Sequence, residues 1–446
     1  MIIKKIYKLG FLVAFCAFWS MVIKASDQIP APPQKYPIAL IGGTIHPVNS
    51  PVIEKGMILF DKGKITNVGL NIRIPSDAVK IDITGKHVYP GLIEANSQLG
   101  LTEINSVPAT LDFAETGDVN PNVRVEVAIN PESERFPVTR ANGIALAVSL
   151  PSGGLISGKA ALLMLDGWTW EDMIMKAPVG MVLNWPRMRI SAPFGLTQRI
   201  EEQRKQIKAQ LDELSNVFRE ARAYKAAREA SGKEGVPFHK IDVRWEAMLP
   251  VLRGELPLWV NANSLLEIKS AVEWADREQV KMVLVGGADA HHAADLLKRK
   301  NVPVIVTPIL RLPYRRDADY DEPFKLPARL YEAGVKFCIA GGSGSGNERN
   351  LPYHVAMASA YGLPKDEALK AVTLYAAEIL GVADKVGSLE VGKDATLIVT
   401  TGDPLEIMTQ VEKLYIQGRN IDLNNKHKTL YIKYKEKYRQ LEEKEE

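Results

Sequence analysis

Residues 256–308, LPLWVNANSLLEIKSAVEWADREQVKMVLVGGADAHHAADLLKRKNVPVIVTP, set the architecture of the chain. They hold three short apolar runs, LPLWVNAN (256–263), VKMVLVGG (280–287) and VPVIVTP (302–308). Between them lie LLEIKSAVEWADRE (265–278) and AHHAADLLKRK (290–300), whose apolar positions recur at helical spacing. Runs rich in Val, Leu and Ile that alternate with amphipathic helices predict parallel strands joined by crossovers.

The rhythm extends both ways. GIALAVSL (143–150), KAALLML (159–165) and VGMVLNW (179–185) precede it, and VKFCIAGG (335–342) follows. With the strand at His87 to Ala95 the count reaches eight over about 290 residues, a size that suits a closed (β/α)8 TIM-like barrel. An open doubly wound sheet is the alternative. Outside the barrel, IALIGGTIHPV, GMILFDKGKITNVG with a turn at Asp61-Lys62-Gly63, and VKIDITGKHVYPG read as short strands. The same texture returns in VGSLEVGKDATLIVTTGDP and VEKLYIQGRNI. The expected organisation is a composite β-sandwich from 26–88 and 382–425, a barrel over 89–381, and a charged tail from 426 to 446. The charge-dense segment 197–230 is expected to be a long solvated helix, and the tail a surface helix.

At the N-terminus, Lys4, Lys5 and Lys8 precede an uncharged run from Leu9 to Ile23 and small residues Ala25 and Ser26. This is the pattern of a secretory signal peptide over 1–25, and the run of about 15 residues is shorter than the roughly 20 of a membrane span. A secreted or periplasmic protein is expected. Cleavage would remove four lysines and no acids, taking the net charge from +3 to near −1. No basic footprint for nucleic acid would remain. Cleavage also removes Cys16 and leaves Cys338 alone, so stability must come from a core and not from a disulfide. With 46% hydrophobic and 24% charged residues, the composition is globular.

In such a barrel the functional end is the C-terminal rim of the strands. There VYPGLIEANSQLGL (88–101) sets Asn96 and Gln98 two apart, on one side of a strand. The block is similar to the first barrel strand of the amidohydrolase superfamily, where PGLID-A-H-x-H supplies two metal-binding histidines. Residues 258–275 resemble that family's fifth strand and following helix. Residues 283–306 resemble its sixth and seventh strands, and 350–399, ending AVTLYAAEILGVADKVGSLEVGKDATLIV, its closing helix and returning β domain. The likeness covers Ile38 to about Ile421. It implies a barrel with a β-sandwich made from both chain ends, a hydrolase of non-peptide carbon–nitrogen bonds, and zinc or another divalent metal.

Carried over residue by residue, the metal positions hold other side chains. The first-strand pair is Asn96 and Gln98; the fifth strand has Asn261 and Asn263; the sixth-strand position is Gly286. After the eighth strand AGGSGSG places Ser343 or a neighbouring glycine where the family has its aspartate, and VLNWP puts Asn184 on the middle strands. Neutral carboxamides do not replace imidazole and carboxylate as zinc ligands or activate a bound water. One expectation is a hydrolase of non-peptide carbon–nitrogen bonds that works with relocated ligands or none of the usual metal, with His291, Asp289, Asn96, Gln98 and Asn261 carrying the chemistry. The other, which the residues favour, is a degenerate, metal-free and non-catalytic member that binds a small polar molecule in the old pocket or assembles, as a homo-oligomer or beside an intact amidohydrolase.

Of seven histidines, His46 and His87 fall in the β domain, His239 in a loop, His354 in the helix after the eighth strand and His427 in the tail. Asp289, His291 and His292 cluster near the rim. They read either as a displaced ligand set or as an Asp N-cap with two surface histidines, of which the cap is favoured. Arg311, Arg315 and Arg316 face an acidic ligand or pair with Asp317, Asp319 and Asp321, the pairing being favoured. Trp168, Trp170 and Trp185 are expected to pack the barrel, Cys338 to be a core thiol, and the GGSGSGN loop to be flexible rather than an anion site.

Overall fold

The computed structural model describes residues 28–190, 197–230, 240–342 and 346–445. The expected signal peptide, with Cys16, lies outside them, as do His239 and Ser343. The chain builds two sheets.

The first contains β1 (Ile38–Ile45), β2 (Ile53–Asp61), β3 (Lys64–Gly69), β4 (Val79–Asp82) and β5 (His87–Pro90). It is completed by β14 (Leu397–Thr400), β15 (Val411–Ile416) and β16 (Arg419–Ile421) from the other end of the chain. Strand order is β16-β15-β14-β5-β1-β2-β3, with β4 also on β1. The two chain ends meet where β5 and β14 pair antiparallel, Pro90 opposite Leu397 and His87 opposite Thr400. Lys62 and Gly63, at φ 48° and 78°, form the two-residue turn between β2 and β3, a left-handed pair that matches the twist of a hairpin. Leu40, Ile58, Phe60, Val88, Leu397 and Tyr415 pack into this sheet's own core.

The second sheet runs in chain order through β6 (Leu92–Ser97), β7 (Ile144–Ser149), β8 (Ile156–Met164), β9 (Ile174–Asn184), β10 (Leu258–Ala262), β11 (Met282–Gly286), β12 (Val304–Val306) and β13 (Phe337–Ile339). Seven of these are runs expected for the barrel, and the eighth, expected over His87 to Ala95, is split: His87–Pro90 joins the first sheet as β5 and only the part from Leu92 enters the barrel. One direction is also corrected. β8 is antiparallel to both β7 and β9. Only residues 150–155 separate β7 from β8, and a parallel return needs a crossover of a dozen residues or more. The remaining neighbours are parallel. Among the described residues no ladder joins β13 to β6. Instead the Gly341 N–H donates to Glu94 Oε2 at 2.8 Å and draws the two ends of the sheet together.

The helices include α1 (Thr197–Ala230), α2 (Leu265–Arg277), α3 (Glu322–Glu332), α4 (Leu351–Ala360) and α5 (Lys426–Glu445). α1 is not wholly solvated as expected, since Leu214, Val217, Phe218 and Ala221 are buried and Phe218 meets Trp274 edge-on at 4.9 Å. Ser264 and Glu267 close a capping box at the start of α2. Trp185 is buried, but Trp168 is 63% exposed and does not pack the barrel. Cys338 is a fully buried thiol, its pKa raised by that burial.

One buried ion cluster ties the two sheets. Asp166, just after β8, accepts from Arg140 at 3.0 Å and from Arg419 of β16 at 2.9 Å, and its second oxygen also accepts the Ala31 N–H at 3.1 Å. Asp166 and Arg140 are both almost fully buried.

Candidate functional site

A cavity of about 690 Å3 opens at the C-terminal ends of the barrel strands. It collects Asn96, Gln98, Asn184, Asn261, Asn263 and Gly286 from positions scattered over the sequence. Asn347, Asn350, Ser152, Thr307 and His354 join them, with Leu150, Val285, Pro308 and Leu310 as the apolar part of the wall. Among the described residues no Asp, Glu, Lys or Arg lines it.

The hydrogen bonding is specific. Asn184 and Asn261 are register partners on β9 and β10, and the Asn261 Nδ2 donates to Asn184 Oδ1 at 2.7 Å. Asn184 Nδ2 donates in turn to the Gly154 carbonyl at 2.8 Å and to Ser157 Oγ at 2.9 Å. Gln98 Nε2 donates to Ser152 Oγ at 3.2 Å. Asn96 is 6% exposed, and its Oδ1 has no hydrogen-bond partner among the described residues; neither does Thr307 Oγ1. Gly286 sits at φ 93°, and a Cβ there would lie 2.6 Å from Asn263 Oδ1. Asn263 therefore fills the space a side chain at 286 would need.

His354 is the residue that the sequence reading left without a role at the rim. It projects from α4 and is almost fully buried in the cavity wall. Its Nδ1 accepts the backbone N–H groups of Ile309 and Leu310, each at 3.2 Å. Nδ1 therefore carries no proton, and the neutral ring has its N–H on Nε2. Burial pushes its pKa down to about 4. Nothing in the spacing of YHVAM indicated that α4 would return over the strand ends.

Beneath the lining lie two carboxyl groups. Glu94 is fully buried and accepts the N–H of Asn96 at 3.0 Å as well as that of Gly341. Its burial raises its pKa well above the usual carboxylate range; the two N–H groups oppose that rise and the nearby Glu348 adds to it. Glu348 is also fully buried, and both of its carboxyl oxygens lack a hydrogen-bond partner among the described residues.

This donor set does not fit a zinc or similar divalent site. Zinc is held by thiolate, imidazole nitrogen or carboxylate oxygen, and the described lining offers carboxamides, hydroxyls and one imidazole. That imidazole is committed, because ligation through Nε2 would move its proton to Nδ1, against two N–H donors.

The secondary candidates lie off this cavity. His291, His292 and Glu322 bring potential ligand atoms within 4.8 Å of one another. However, His291 Nε2 accepts from Arg329 at 3.0 Å and His292 Nε2 from Arg315 at 3.1 Å. A cation there would have to displace two guanidinium groups. Burial, with His292, Arg329 and Arg315 adding to it, holds the His291 pKa at about 4. The expected Asp N-cap is also corrected: Asp289 makes no cap bond to its own turn, and its Oδ2 accepts the Leu265 N–H of α2 at 3.0 Å. Arg315 pairs with Asp289 at 3.4 Å and Glu322 at 3.1 Å, not with Asp317, Asp319 or Asp321 as expected. Asp289 and Glu322 are buried, where a charge pair is less screened, whereas Asp317 and Asp319 are exposed and the buried Asp321 pairs with Lys325 at 2.7 Å. Arg311 donates to the carbonyls of Pro308 and Leu312 and so braces its own loop.

The fold has counterparts among known proteins. The Amidohydrolase family model matches residues 317–421. An amidohydrolase from Thermotoga maritima MSB8 superimposes with a TM-score of 0.77 at 27% identity, over 86% of this chain and 99% of that one. Over residues 317–421 in sequence, and over most of its length in fold, the chain is similar to amidohydrolases. Amidohydrolase tasK of Hapsidospora irregularis is 22% identical over 388 residues, which is 81% of this chain but only 39% of that relative's length. A prolidase complexed with N-methylphosphonate-L-proline shares the fold at a TM-score of 0.53 and 18% identity, over 86% of this chain and 99% of that one.

Proposed function

We propose that this chain is a degenerate member of the amidohydrolase superfamily, exported by its N-terminal segment, that binds a small polar molecule in the old catalytic pocket without a metal. The observation that carries the reading is the lining itself. At Asn96, Gln98, Asn184, Asn261, Asn263 and Gly286 it presents carboxamides and a glycine, and the imidazole of His354 is held by two backbone N–H groups. Such groups orient a ligand by hydrogen bonds. They do not generate a hydroxide near neutral pH, as a metal-bound water would.

The test is metal content per chain by mass spectrometry, after expression with zinc supplied and purification without chelator. Sub-stoichiometric metal is expected. A stoichiometric transition metal that is lost in an Asn96→Leu variant would overturn the proposal and restore a metal-dependent hydrolase.

A further inference from the structure

We infer that α5 is a docking surface for a second copy of this chain, two α5 helices packing antiparallel about a two-fold axis, an inference independent of what the barrel pocket holds. The first support is an apolar stripe that the chain itself leaves open. Leu430, Tyr434, Tyr438 and Leu441 recur at intervals of four, four and three residues, which sets them on one face of the helix, and Tyr431 borders that face. Ile432 lies opposite. Every side chain from Lys426 to Glu443 is exposed, the stripe included. Helices in proteins owe most of their stability to packing an apolar face, and the described rest of the chain buries none of this one.

The second support is that the helix is complementary to itself when reversed. The stripe reads Leu, Tyr, Tyr, Leu in either direction about Lys435 and Glu436, as a two-fold contact between identical surfaces requires. Residues 426–435 carry Lys426, Lys428, Lys433 and Lys435 and no acid, and the acids come later, with Glu436, Glu442 and Glu443. An antiparallel pair sets Leu430 of one copy near Leu441 of the other, with Tyr434 and Tyr438 at the centre. It also brings Glu442 and Glu443 of each copy beside Lys426 and Lys428 of the other. A parallel pair would set lysines against lysines.

The base of the helix adds a third support. A cleft of about 380 Å3 there is lined by Arg349, His427 and Lys428, and by no Asp or Glu among the described residues. The far, acidic end of a second α5 would arrive at this basic cleft. Ile407, which lines it, and Met408 beside it in the chain are both largely exposed and extend the apolar surface.

The experiment is sedimentation velocity across the micromolar range, on the chain without its first 25 residues. The parent should form a reversible dimer that weakens with added salt. Tyr434→Glu with Tyr438→Glu, at exposed positions that the fold does not use, should be monomeric at every concentration with an unchanged Tm. Two charge variants test the orientation: Lys426→Glu with Lys428→Glu, and Glu442→Lys with Glu443→Lys. Both exchanges suit the helix dipole, so neither weakens association by unwinding α5. Each alone should self-associate at least tenfold more weakly than the parent, and an equal mixture of the two, in which every end is matched again, should recover the parent's affinity. A parent that stays monomeric, a dimer that survives the tyrosine substitutions, or charge variants that self-associate like the parent would each overturn the inference. A monomeric parent that binds phosphatidylglycerol vesicles, and loses that binding with the tyrosine substitutions, would assign the stripe to a membrane and overturn it too.

Discussion

Asn261 donates its amide hydrogen to the side-chain oxygen of Asn184 at 2.7 Å, directly across the β9–β10 ladder. The bond joins two adjacent strands at the cavity wall. Replacing Asn261 by Leu leaves Asn184 Oδ1 without its donor. The expected cost is about 1 kcal/mol in urea denaturation, and a double-mutant cycle with Asn184→Leu should return a coupling of about the same size. A coupling near zero would show that the two amides act independently.

Restoring a single histidine at the sixth-strand position should fail. Gly286→His places a side chain at φ 93° and drives its Cβ into Asn263 Oδ1. The expected loss is about 2–3 kcal/mol, part from the left-handed backbone and part from the clash. Adding Asn263→Ala should recover only the steric part, seen as a partial return of the denaturation midpoint.

His354 makes stability depend on pH in a defined direction. Its folded pKa of about 4 lies below the unfolded 6.5, so only the unfolded chain takes up the proton between those values. The contribution is fully present above pH 6.5 and is lost as pH falls towards 4, by about 3 kcal/mol at the lower limit. The raised pKa values of Glu94 and Glu348 act with the opposite sign: their contribution is present at low pH and lost as pH rises through the folded values. Comparison with His354→Asn isolates the histidine, since Asn keeps an acceptor near the position of Nδ1 and does not titrate. Between pH 6.5 and 4 the variant should lose less stability than the parent. Equal slopes would mean that the ring is protonated in the folded chain.

Asp166→Asn should be the most damaging of these substitutions. It removes the charge that Arg140 and Arg419 share, and Arg140 is almost fully buried. Stranding a buried guanidinium in this way costs about 3 kcal/mol or more, which calorimetric unfolding would register as a large fall in Tm.

Much of this architecture was legible in the sequence because apolar runs and helical periodicity are local signals. Each barrel run holds a barrel strand, although His87–Pro90 of the first run went to the other sheet, and the strands of both chain ends share one sheet. The direction of β8 was not legible, because KAALLML has the same pattern read up or down the barrel. What decided it was the shortness of residues 150–155. The rim residues at strand ends, such as Asn96 and Asn261, could be picked out because strand termini locate them. His354, Asn347 and Asn350 could not, since they reach the cavity through the way α4 and its leading turn fold back, a tertiary outcome with no mark in the local pattern. The pairing of Arg315 was missed for a related reason. Asp289 comes from a separate segment, after β11, while Glu322 opens α3 next to the loop acids and is told from Asp317 and Asp319 only by its burial.

The pairing of β5 with β14 also has a consequence in time. Strands β1 to β5 leave the ribosome early, with β5 presenting the backbone groups that β14 will later satisfy. At about 5–20 residues per second, the roughly 300 residues between them take on the order of 15–60 s to synthesise. Throughout that interval the nascent sheet has an open, apolar edge of the kind that recruits other chains. Truncation anywhere before residue 397 leaves that edge open for good, and should yield aggregate and not a smaller folded barrel.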